Sequence, residues 1–282
     1  MNRHLAVITG CSSGFGLLST LDLARKGFFV VATMRDLARR APLDAALSSS
    51  GFAERVAVRR LDVADPPSHE AFVDQIMAEY GRIDVLVNNA GFALAGFAED
   101  VALDELRRQF ETNFFGTVSL TKSVLPVLRE QRSGRILMLS SISGRSASPG
   151  LSSYSSSKFA LEGYTESLRL EMAPLGIDCI LIEPGSFETG IWYREENAAA
   201  HALNPASPNY ERTQRFLDYL QKKLRRRDPR EVAHLIAHVA DVSHPRLRYV
   251  IGPDARAMLV LRALLPWRAF EGIVSRALQS GK

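Results

Sequence analysis

Residues 5–16 of the chain read L-A-V-I-T-G-C-S-S-G-F-G, and this stretch contains the pattern that decides the fold. Its first five residues form a short apolar run, which is typical of a buried parallel strand. Helical periodicity follows from Gly14 to Lys26. Glycines between a strand and a helix let the backbone approach a phosphate group, and a helix start offers unpaired N–H groups. The stretch therefore predicts a phosphate-binding turn, although glycine and serine also form plain turns.

The alternation of strand and helix continues along the whole chain. Further strands are predicted at residues 28–33, 56–61, 83–88, 135–140, 177–183 and 249–251. Further helices are predicted at residues 42–50, 66–80, 103–131 (with a break near 112–113), 153–173, 210–227 and 229–242. Such alternation predicts a single α/β domain, in which a doubly wound parallel sheet of about seven strands carries helices on both faces.

The bulk composition narrows the class of protein. The 282 residues are 46% apolar and 23% charged, as in ordinary globular proteins. A formal charge of +4 is too small to indicate a nucleic-acid partner. Cys11 and Cys179 provide no disulfide framework, and we find neither a signal peptide nor an apolar run of the ~18 residues that a membrane span needs. We therefore expect a cytoplasmic protein without a membrane span.

Tyr154 and Lys158, in Y-S-S-S-K, are the strongest candidates for chemistry. They stand four residues apart in a predicted helix, so the phenol and the ammonium share one face. A free tyrosine has a pKa of about 10, which is too high for efficient proton transfer at neutral pH. A cation at ~5 Å and an effective dielectric of ~20 stabilises the phenolate by roughly 3 kcal/mol, or about two pKa units. The competing interpretation is a chance surface pair.

Polar residues also follow the second, third and fourth predicted strands, at the sheet edge where open α/β sheets bind ligands. Arg35 offers a forked cation for a 2′-phosphate, whereas Asp36 beside it complicates that assignment. An exposed Arg–Asp pair would carry no preference for a cofactor. Asp62 and Val63 are candidates for an adenine contact or an ordinary turn. The N-N-A-G sequence at residues 88–91 is either turn chemistry or a second cofactor contact.

Taken in order, these motifs resemble those of the short-chain dehydrogenase/reductase family over residues 5 to about 190. The matching motifs are T-G-x-x-x-G-x-G at 9–16, N-N-A-G at 88–91, Asn113 in N-F-F-G, S-S at 140–141, Y-x-x-x-K at 154–158, and P-G followed by threonine at 184, 185 and 189. The segments A-T-M-R-D-L, Y-S-S-S-K-F-A-L-E-G and L-R-Y look most like the 17β-hydroxysteroid and retinol dehydrogenase branch.

The resemblance implies a single NAD(P)-binding Rossmann domain over residues 1–282, with a substrate-cleft insertion at 188–228 and a helical tail at 254–282. It makes Tyr154 the acid/base, while Lys158 lowers the pKa of Tyr154 and binds the nicotinamide ribose. Ser141 would hydrogen-bond the substrate oxygen, the alternative being a strand-end hydroxyl that caps a turn. Asn113 would support a water in the proton relay, the alternative being a residue that tolerates a helix kink. The implied cofactor-binding residues are Gly10, Ser12, Ser13, Gly14, Phe15, Gly16, Arg35, Asp62, Val63, Asn89, Ala90, Gly91, Tyr154, Lys158, Pro184, Gly185 and Thr189.

The expected activity is interconversion of an alcohol and a ketone or aldehyde, with NADP(H) preferred and NAD(H) possible. Apolar side chains where the family lines its cleft favour an apolar substrate, although most of them could equally be core or interface residues: Phe92, Leu94, Phe187, Trp192 and Tyr193. The alternatives are a reductase of small polar carbonyls and a dinucleotide-binding regulator without catalysis. We expect no metal, because His234 and His238 stand four apart without the glutamate of a zinc-protease helix.

Two basic or apolar segments have no assigned role. Residues 222–227, K-K-L-R-R-R, fit a solvated helix end or an anion site. Residues 255–265 and 267–278 are apolar, arginine-rich helical segments separated by Pro266. This tail could pack on the core, cover the cleft, join subunits or touch a membrane surface, and packing or self-association is favoured. We expect a homodimer or homotetramer.

Overall fold

The computed structural model describes residues 4–192, 197–220 and 226–279. Seven parallel strands form one sheet, in the order β3-β2-β1-β4-β5-β6-β7. The strands are β1 (Leu5–Ile8), β2 (Phe29–Met34), β3 (Val56–Arg60), β4 (Val85–Asn88), β5 (Gly134–Leu139), β6 (Ile177–Pro184) and β7 (Arg248–Ile251). The order reverses between β1 and β4, which is where doubly wound sheets bind ligands. The predicted sheet of about seven parallel strands is confirmed.

Ten α-helices connect and cover the strands in the described residues. They are α1 (Gly14–Arg25), α2 (Ala41–Ser48), α3 (His69–Tyr80), α4 (Leu103–Phe110), α5 (Gly116–Gln131), α6 (Ser152–Met172), α7 (Tyr210–Asp218), α8 (Arg230–Val239), α9 (Pro253–Leu264) and α10 (Trp267–Gln279). None of these helices has the length and apolar character that crossing a bilayer requires.

Alternate residues of the strands contribute to two cores, one on each face of the sheet. Ala6 and Ile8 of β1 belong to the core that α1, α2 and α8 cover. Leu5 and Val7 belong to the opposite core, beneath α3, α5 and α6. Full burial of one such leucine or isoleucine stabilises the fold by about 1.5–3 kcal/mol. Burial on both faces explains why β1 is apolar throughout rather than alternating.

The predicted break in the helix at residues 103–131 is confirmed, and it has a specific geometry. Residues 111–115 form a π-helical turn between α4 and α5. Such a turn holds one residue more than an α-helical turn, and it often marks a functional site. Gly116 follows it, where a Cβ would stand 2.0 Å from the carbonyl oxygen of Val63. The close approach of α5 to the end of β3 therefore requires glycine at this position.

The predicted helix over residues 210–227 is wrong at its end. The α-helix ends at Asp218, residues 219–220 are π-helical, and Arg227 pairs with Phe187 as an isolated β-bridge. The Glu188 N–H donates to the carbonyl of Arg227 at 2.9 Å. Backbone pairing across the chain thus replaces the local helical preference. Residues 222–225 of the basic run lie outside the described residues.

The tail forms the two predicted helices, α9 and α10, on either side of Pro266. Ala255 and Phe270 are buried, whereas Val260, Leu264 and Trp267 are exposed. Arg262 lies over the rings of Trp267 and Phe270, at 4.8 and 5.6 Å from the ring centres. The tail therefore contacts the core through few residues and leaves a large apolar area in water.

Candidate active site

The turn after β1 is held by contacts that leave no room for side chains. A Cβ on Gly16 would lie 2.3 Å from the carbonyl oxygen of Gly10, and one on Gly10 would lie 2.9 Å from Cα of Ala90. The Asn89 Nδ2 group donates to the carbonyls of Thr9 and Gly10, at 2.7 and 3.2 Å. The Thr9 hydroxyl accepts from the backbone of Asn89 and Ala90. These contacts lock the glycine turn against the end of β4.

The start of α1 can receive a phosphate group. Its first turn, which lies wholly within the described residues, contains no acidic side chain, and Ser13 makes no capping hydrogen bond. The N–H groups of a helix start and the positive end of its dipole favour an anion. A cleft of about 490 Å³ opens over this turn. Two separate observations thus show that the turn fits the pyrophosphate of a dinucleotide. The backbone forms a cradle that a Cβ would fill, and the start of α1 has no side-chain cap.

Most of the predicted cofactor residues line this cleft. They are Gly10, Ser12, Ser13, Gly14, Phe15, Arg35, Asp62, Val63, Asn89, Ala90, Gly91 and Thr189. The structure does not bring Gly16, Pro184, Gly185, Tyr154 and Lys158 to its lining. Gly16 supports the turn from behind, and Pro184 ends β6. Gly185 packs against α9, since a Cβ there would stand 2.5 Å from Oδ1 of Asp254.

Sequence patterns missed several lining residues, among them Arg39, Arg108, Thr112, Ile191 and Asn197. Arg39 could have been found, because it lies one helical turn after Arg35. The Asp36 carboxylate caps the next turn, because it accepts a hydrogen bond from Ala38 N at 2.9 Å. A bound cofactor would therefore not be the only partner of this carboxylate. Arg108 and Asn197 reach the cleft only through the tertiary fold, so no local pattern signals them.

Asn113 lies in the π-helical turn and is buried. Its Oδ1 accepts from Phe92 N at 3.0 Å, and its Nδ2 donates to Phe92 O at 2.9 Å and to the Ser157 hydroxyl at 3.1 Å. A Cβ on Gly91 would lie 3.0 Å from Asn113 Oδ1 and 3.8 Å from Lys158 Nζ. Asn113 therefore joins the loop after β4 to helix α6, directly behind the lining of the cleft.

Tyr154, Ser141 and Lys158 meet at the end of β5. Burial raises the pKa of Tyr154 to about 12, and its hydrogen bond with Ser141 opposes that rise. Lys158 Nζ lies 5.9 Å from the centre of the tyrosine ring and donates to the carbonyl of Leu139 at 2.7 Å. Burial lowers the pKa of this amine to about 8. The three groups are together as predicted, while the lowering of the Tyr154 pKa by Lys158 stays a prediction.

Tyr154 is only 5% exposed because the segment 197–220 covers it. It belongs to one buried apolar cluster with Phe216 and Leu220 of that segment and with Ala93, Ala95 and Leu151. Backbone hydrogen bonds join Ala95 to the segment, from Ala95 N to Asn197 O and from Ala199 N to Ala95 O, both at 2.8 Å. The Ser207 hydroxyl also donates to buried Asp100 at 2.6 Å. An apolar cover therefore rests on the candidate acid/base.

The expected apolar cleft residues divide into three groups. Phe92 lines the cleft as predicted. Leu94 packs with Ala199 and Ala202, and Phe187 packs edge-on against Phe15, so both are core residues and their prediction as cleft residues is wrong. The Trp192 side chain and Tyr193 lie outside the described part of the chain.

The His234 imidazole contacts a carboxylate of the neighbouring helix α1. Its Nε2 lies 3.3 Å from Oδ2 of Asp22, which joins α8 to α1. Among the described residues there is no group of three or more His, Cys, Asp or Glu side chains placed to hold a metal ion.

Comparison with known proteins identifies the family of this fold and site. The model of the short chain dehydrogenase family matches residues 4–199. The chain belongs to this family. YusZ of Bacillus subtilis, an uncharacterized oxidoreductase, is 43% identical over 99% of this chain and 100% of its own length. A 3-ketodihydrosphingosine reductase of Bacteroides thetaiotaomicron is 35% identical (90% of this chain, 89% of its own), and human retinol dehydrogenase 8 is 36% identical (86% and 79%).

Solved structures share the fold, and two of the three described here contain a nicotinamide cofactor. One from Streptomyces avermitilis has a TM-score of 0.80, with 33% identity over 98% of both chains. One from Burkholderia phymatum, in complex with NAD, has a TM-score of 0.81, with 25% identity over 93% of both. A variant of ElxO with NADPH bound has a TM-score of 0.72 and 25% identity (88% of this chain, 96% of its own). The protein is therefore a short-chain dehydrogenase/reductase that acts on CH–OH donors with a nicotinamide dinucleotide.

Proposed function

We propose that this short-chain dehydrogenase interconverts an apolar alcohol and its ketone or aldehyde, with NADP(H) as cofactor and Tyr154 as acid/base. The observation that carries the proposal is the buried group at the end of β5. There, the Tyr154 hydroxyl is hydrogen-bonded with Ser141, beside the Lys158 amine and behind the glycine-lined cleft. The nicotinamide ring of the bound cofactor supplies or accepts the hydride.

The side chains then have distinct tasks. In reduction, Ser141 donates a hydrogen bond to the substrate oxygen, and Tyr154 delivers its proton as negative charge develops there. Lys158 favours ionised tyrosine by its charge and binds the nicotinamide ribose. Asn113, whose side chain is fully engaged by Phe92 and Ser157, holds the loop and α6 in register and supports the water of the proton relay. Oxidation of the alcohol reverses these steps.

The preference for NADP(H) is supported by charge at the end of β2. Arg35 and Arg39 both line the cleft there and are exposed. Asp36 lies 3.9 Å from the Arg39 guanidinium and is engaged by the backbone of Ala38. Guanidinium groups bind phosphate with bidentate, charge-assisted hydrogen bonds. Two such groups suit a 2′-phosphate, whereas NAD(H) lacks a partner for them.

An apolar substrate is supported by the cover over Tyr154. Phe216, Leu220 and Leu151 share a buried apolar cluster with the tyrosine, which favours a substrate that is apolar next to its carbonyl. Two relatives point the same way by name, since 3-ketodihydrosphingosine and retinol are lipids with a ketone and a hydroxyl group. We assign the cover to residues 197–220, within the insertion predicted at 188–228, and this segment must shift to admit the substrate.

We also propose a cytoplasmic homodimer or homotetramer, built from one Rossmann domain with a tail at residues 254–282. Leu103 of α4, Phe115 of the π-helical turn and Leu264 of α9 are exposed large apolar side chains, which favour self-association. Light scattering on the purified protein would measure the number of subunits, and a monomer at micromolar concentration would contradict this proposal.

A direct test measures NADPH oxidation with a panel of long-chain ketones and small polar carbonyls. We expect turnover of the long-chain ketones, and a loss of ~100-fold or more in kcat for Tyr154→Phe, because general acid catalysis contributes about that much. Cofactor affinity should stay unchanged. Cofactor binding without turnover of any carbonyl, and no effect of Tyr154→Phe, would instead identify a regulator.

A further inference from the structure

A buried cluster of charged side chains lies behind the candidate catalytic residues, and the proposed reaction does not use it. Two carboxylates, from Glu162 of α6 and Glu183 of β6, meet the guanidinium of Arg248 from β7. The Arg248 Nε lies 3.1 Å from Glu162 Oε2 and 3.3 Å from Glu183 Oε1. Arg145, after β5, lies 3.2 Å from Glu183. The two carboxylates are buried, whereas the Arg248 side chain is 27% exposed and that of Arg145 is 40% exposed. Carboxylates are rarely buried, so these two call for a reason.

Glu162 stands four residues after Lys158 on α6, which places both on one face of the helix. Both side chains are buried, and Glu162 is only 6% exposed. Gly144 packs between them and the loop after β5: a Cβ there would lie 3.0 Å from Cγ of Glu162 and 3.1 Å from the carbonyl of Lys158. The Lys158 amine donates to the carbonyl of Leu139 at 2.7 Å, and the same Cβ would lie 2.8 Å from Oγ of Ser140, the next residue. The amine and the carboxylate therefore both lie in one compartment, between α6 and the end of β5.

The electrostatics of this compartment favour a coupled pair. Burial lowers the pKa of Lys158 to about 8, and the negative charge of Glu162 opposes that fall. Burial raises the pKa of Glu162, while Ser140 and the cations of Arg248 and Arg145 oppose that rise. Burial, followed by the charge of Glu162, raises the pKa of Glu183 to about 7. Glu162 is thus the carboxylate that acts on the lysine.

We propose that Glu162 is a positioning residue for the reaction, a buried counter-charge that keeps Lys158 in its ammonium form. The inference rests on the proposed role of Lys158. A purely structural interpretation is that Glu162 only ties α6 to β7 through Arg248. The chain offers a matched control for that interpretation, because Glu166 accepts from the same guanidinium at 2.7 Å but is 57% exposed.

The decisive experiment compares Glu162→Gln with Glu166→Gln. Removing the charge of Glu162 should lower the pKa of Lys158 further, so that the amine loses its proton at a lower pH. The alkaline limb of the kcat profile should then move down by about one pH unit, as expected for an opposite charge at this range. Glu166→Gln removes a bond to Arg248 that is shorter, at 2.7 Å against 3.1 Å, and should leave the limb in place.

A second measurement does not depend on turnover. The pH dependence of Lys158 acylation by acetic anhydride, followed by mass spectrometry, reports the titration of the amine in the intact protein. Glu162→Gln should shift that titration down by about one unit, and Glu166→Gln should not. If Glu162→Gln does not fold, Glu162→Met, a side chain of similar length without charge, takes its place. Glu162→Asp, which restores a carboxylate, should return most of the wild-type profile.

The results separate this inference from the proposed function. If acylation shifts in Glu162→Gln while wild-type protein reduces none of the carbonyls, the coupling holds and the proposed function fails. If neither variant shifts the acylation of Lys158, or both shift it equally, Glu162 is not a counter-charge and this inference is overturned. If the alkaline limb of the kcat profile stays fixed while the acylation titration of Lys158 shifts, the proposed link between Glu162 and catalysis is overturned.

Discussion

The two halves of the site are built by different means. The nucleotide half consists largely of backbone: glycines locked against Asn89 and Ala90, an uncapped helix start, and an open cleft of about 490 Å³. The catalytic half consists of side chains that are buried beneath the segment 197–220. A backbone site has few ways to vary and is ready for its ligand. A side-chain site beneath a cover can change its substrate by changing the cover.

The largest effect should come from closing the nucleotide half. Gly16→Val would place a branched side chain where a single Cβ already lies 2.3 Å from the carbonyl of Gly10. Because that contact is with backbone, the turn must move, and we expect dinucleotide binding to be lost to calorimetry. Gly163→Val, on α6 with open space around its Cα, is the control for valine in a helix. If Gly16→Val binds the dinucleotide with the affinity of the wild type, the turn is adaptable. The contrast between a fixed nucleotide half and a variable catalytic half would then be wrong.

The next effect should come from the two arginines of the nucleotide half. We expect the double variant Arg35→Ala/Arg39→Ala to weaken NADPH binding by roughly 10- to 100-fold, since each hydrogen bond to a charged group contributes about 1.5–3 kcal/mol and solvent screens exposed ones. Affinity for NADH should change little. Arg40→Ala is the matched control, because Arg40 pairs with Asp44 and does not line the cleft. Equal losses for both cofactors would show that these arginines do not select the phosphate.

A smaller effect is expected from the cover in the catalytic half. Phe216→Ala removes a buried ring that packs on Tyr154, and should lower the free energy of unfolding by about 3 kcal/mol at most, because the ring lies at the edge of the core. In steady-state assays, KM for long-chain ketones should rise several-fold while the KM for NADPH stays constant. Tyr219→Ala, an exposed neighbour, is the control. If Phe216→Ala changed the KM for NADPH and left the KM for long-chain ketones unchanged, the division of the site into two halves would be contradicted.

The smallest effect on the site should come from the tail. A chain that ends after residue 265 lacks α10 but keeps Asp254, which accepts from Ser186 N at 2.7 Å near the cofactor edge. We expect light scattering to detect altered association while the dissociation constant for NADPH changes less than twofold. A loss of cofactor affinity equal to the loss of association would place α10 within the nucleotide half.

Much of the fold can be predicted from the sequence, because the strands and the glycine turn are each encoded by a short stretch of neighbouring residues. Apolar runs predict the parallel strands, and the glycine motif predicts a phosphate-binding turn after β1. The path of the segment that covers Tyr154 cannot be predicted in this way. Phe187 and Arg227, on either side of that segment, pair as a β-bridge, which helical periodicity does not reveal. The Tyr154 pKa shows the same limit: the pair with Lys158 is visible in sequence, but burial, which dominates it, depends on Phe216 and Leu220 from a distant segment.

The π-helical turn at residues 111–115 makes the site sensitive to the deletion of a single residue within this segment. An α-helix advances about 100° per residue, so deleting one codon here would turn the two flanking helices relative to each other by that angle. The deletion would alter composition hardly at all, yet Asn113 would leave its partners Phe92 and Ser157. A library of substitutions would never sample this change, whereas a library of single-codon deletions would find it at once.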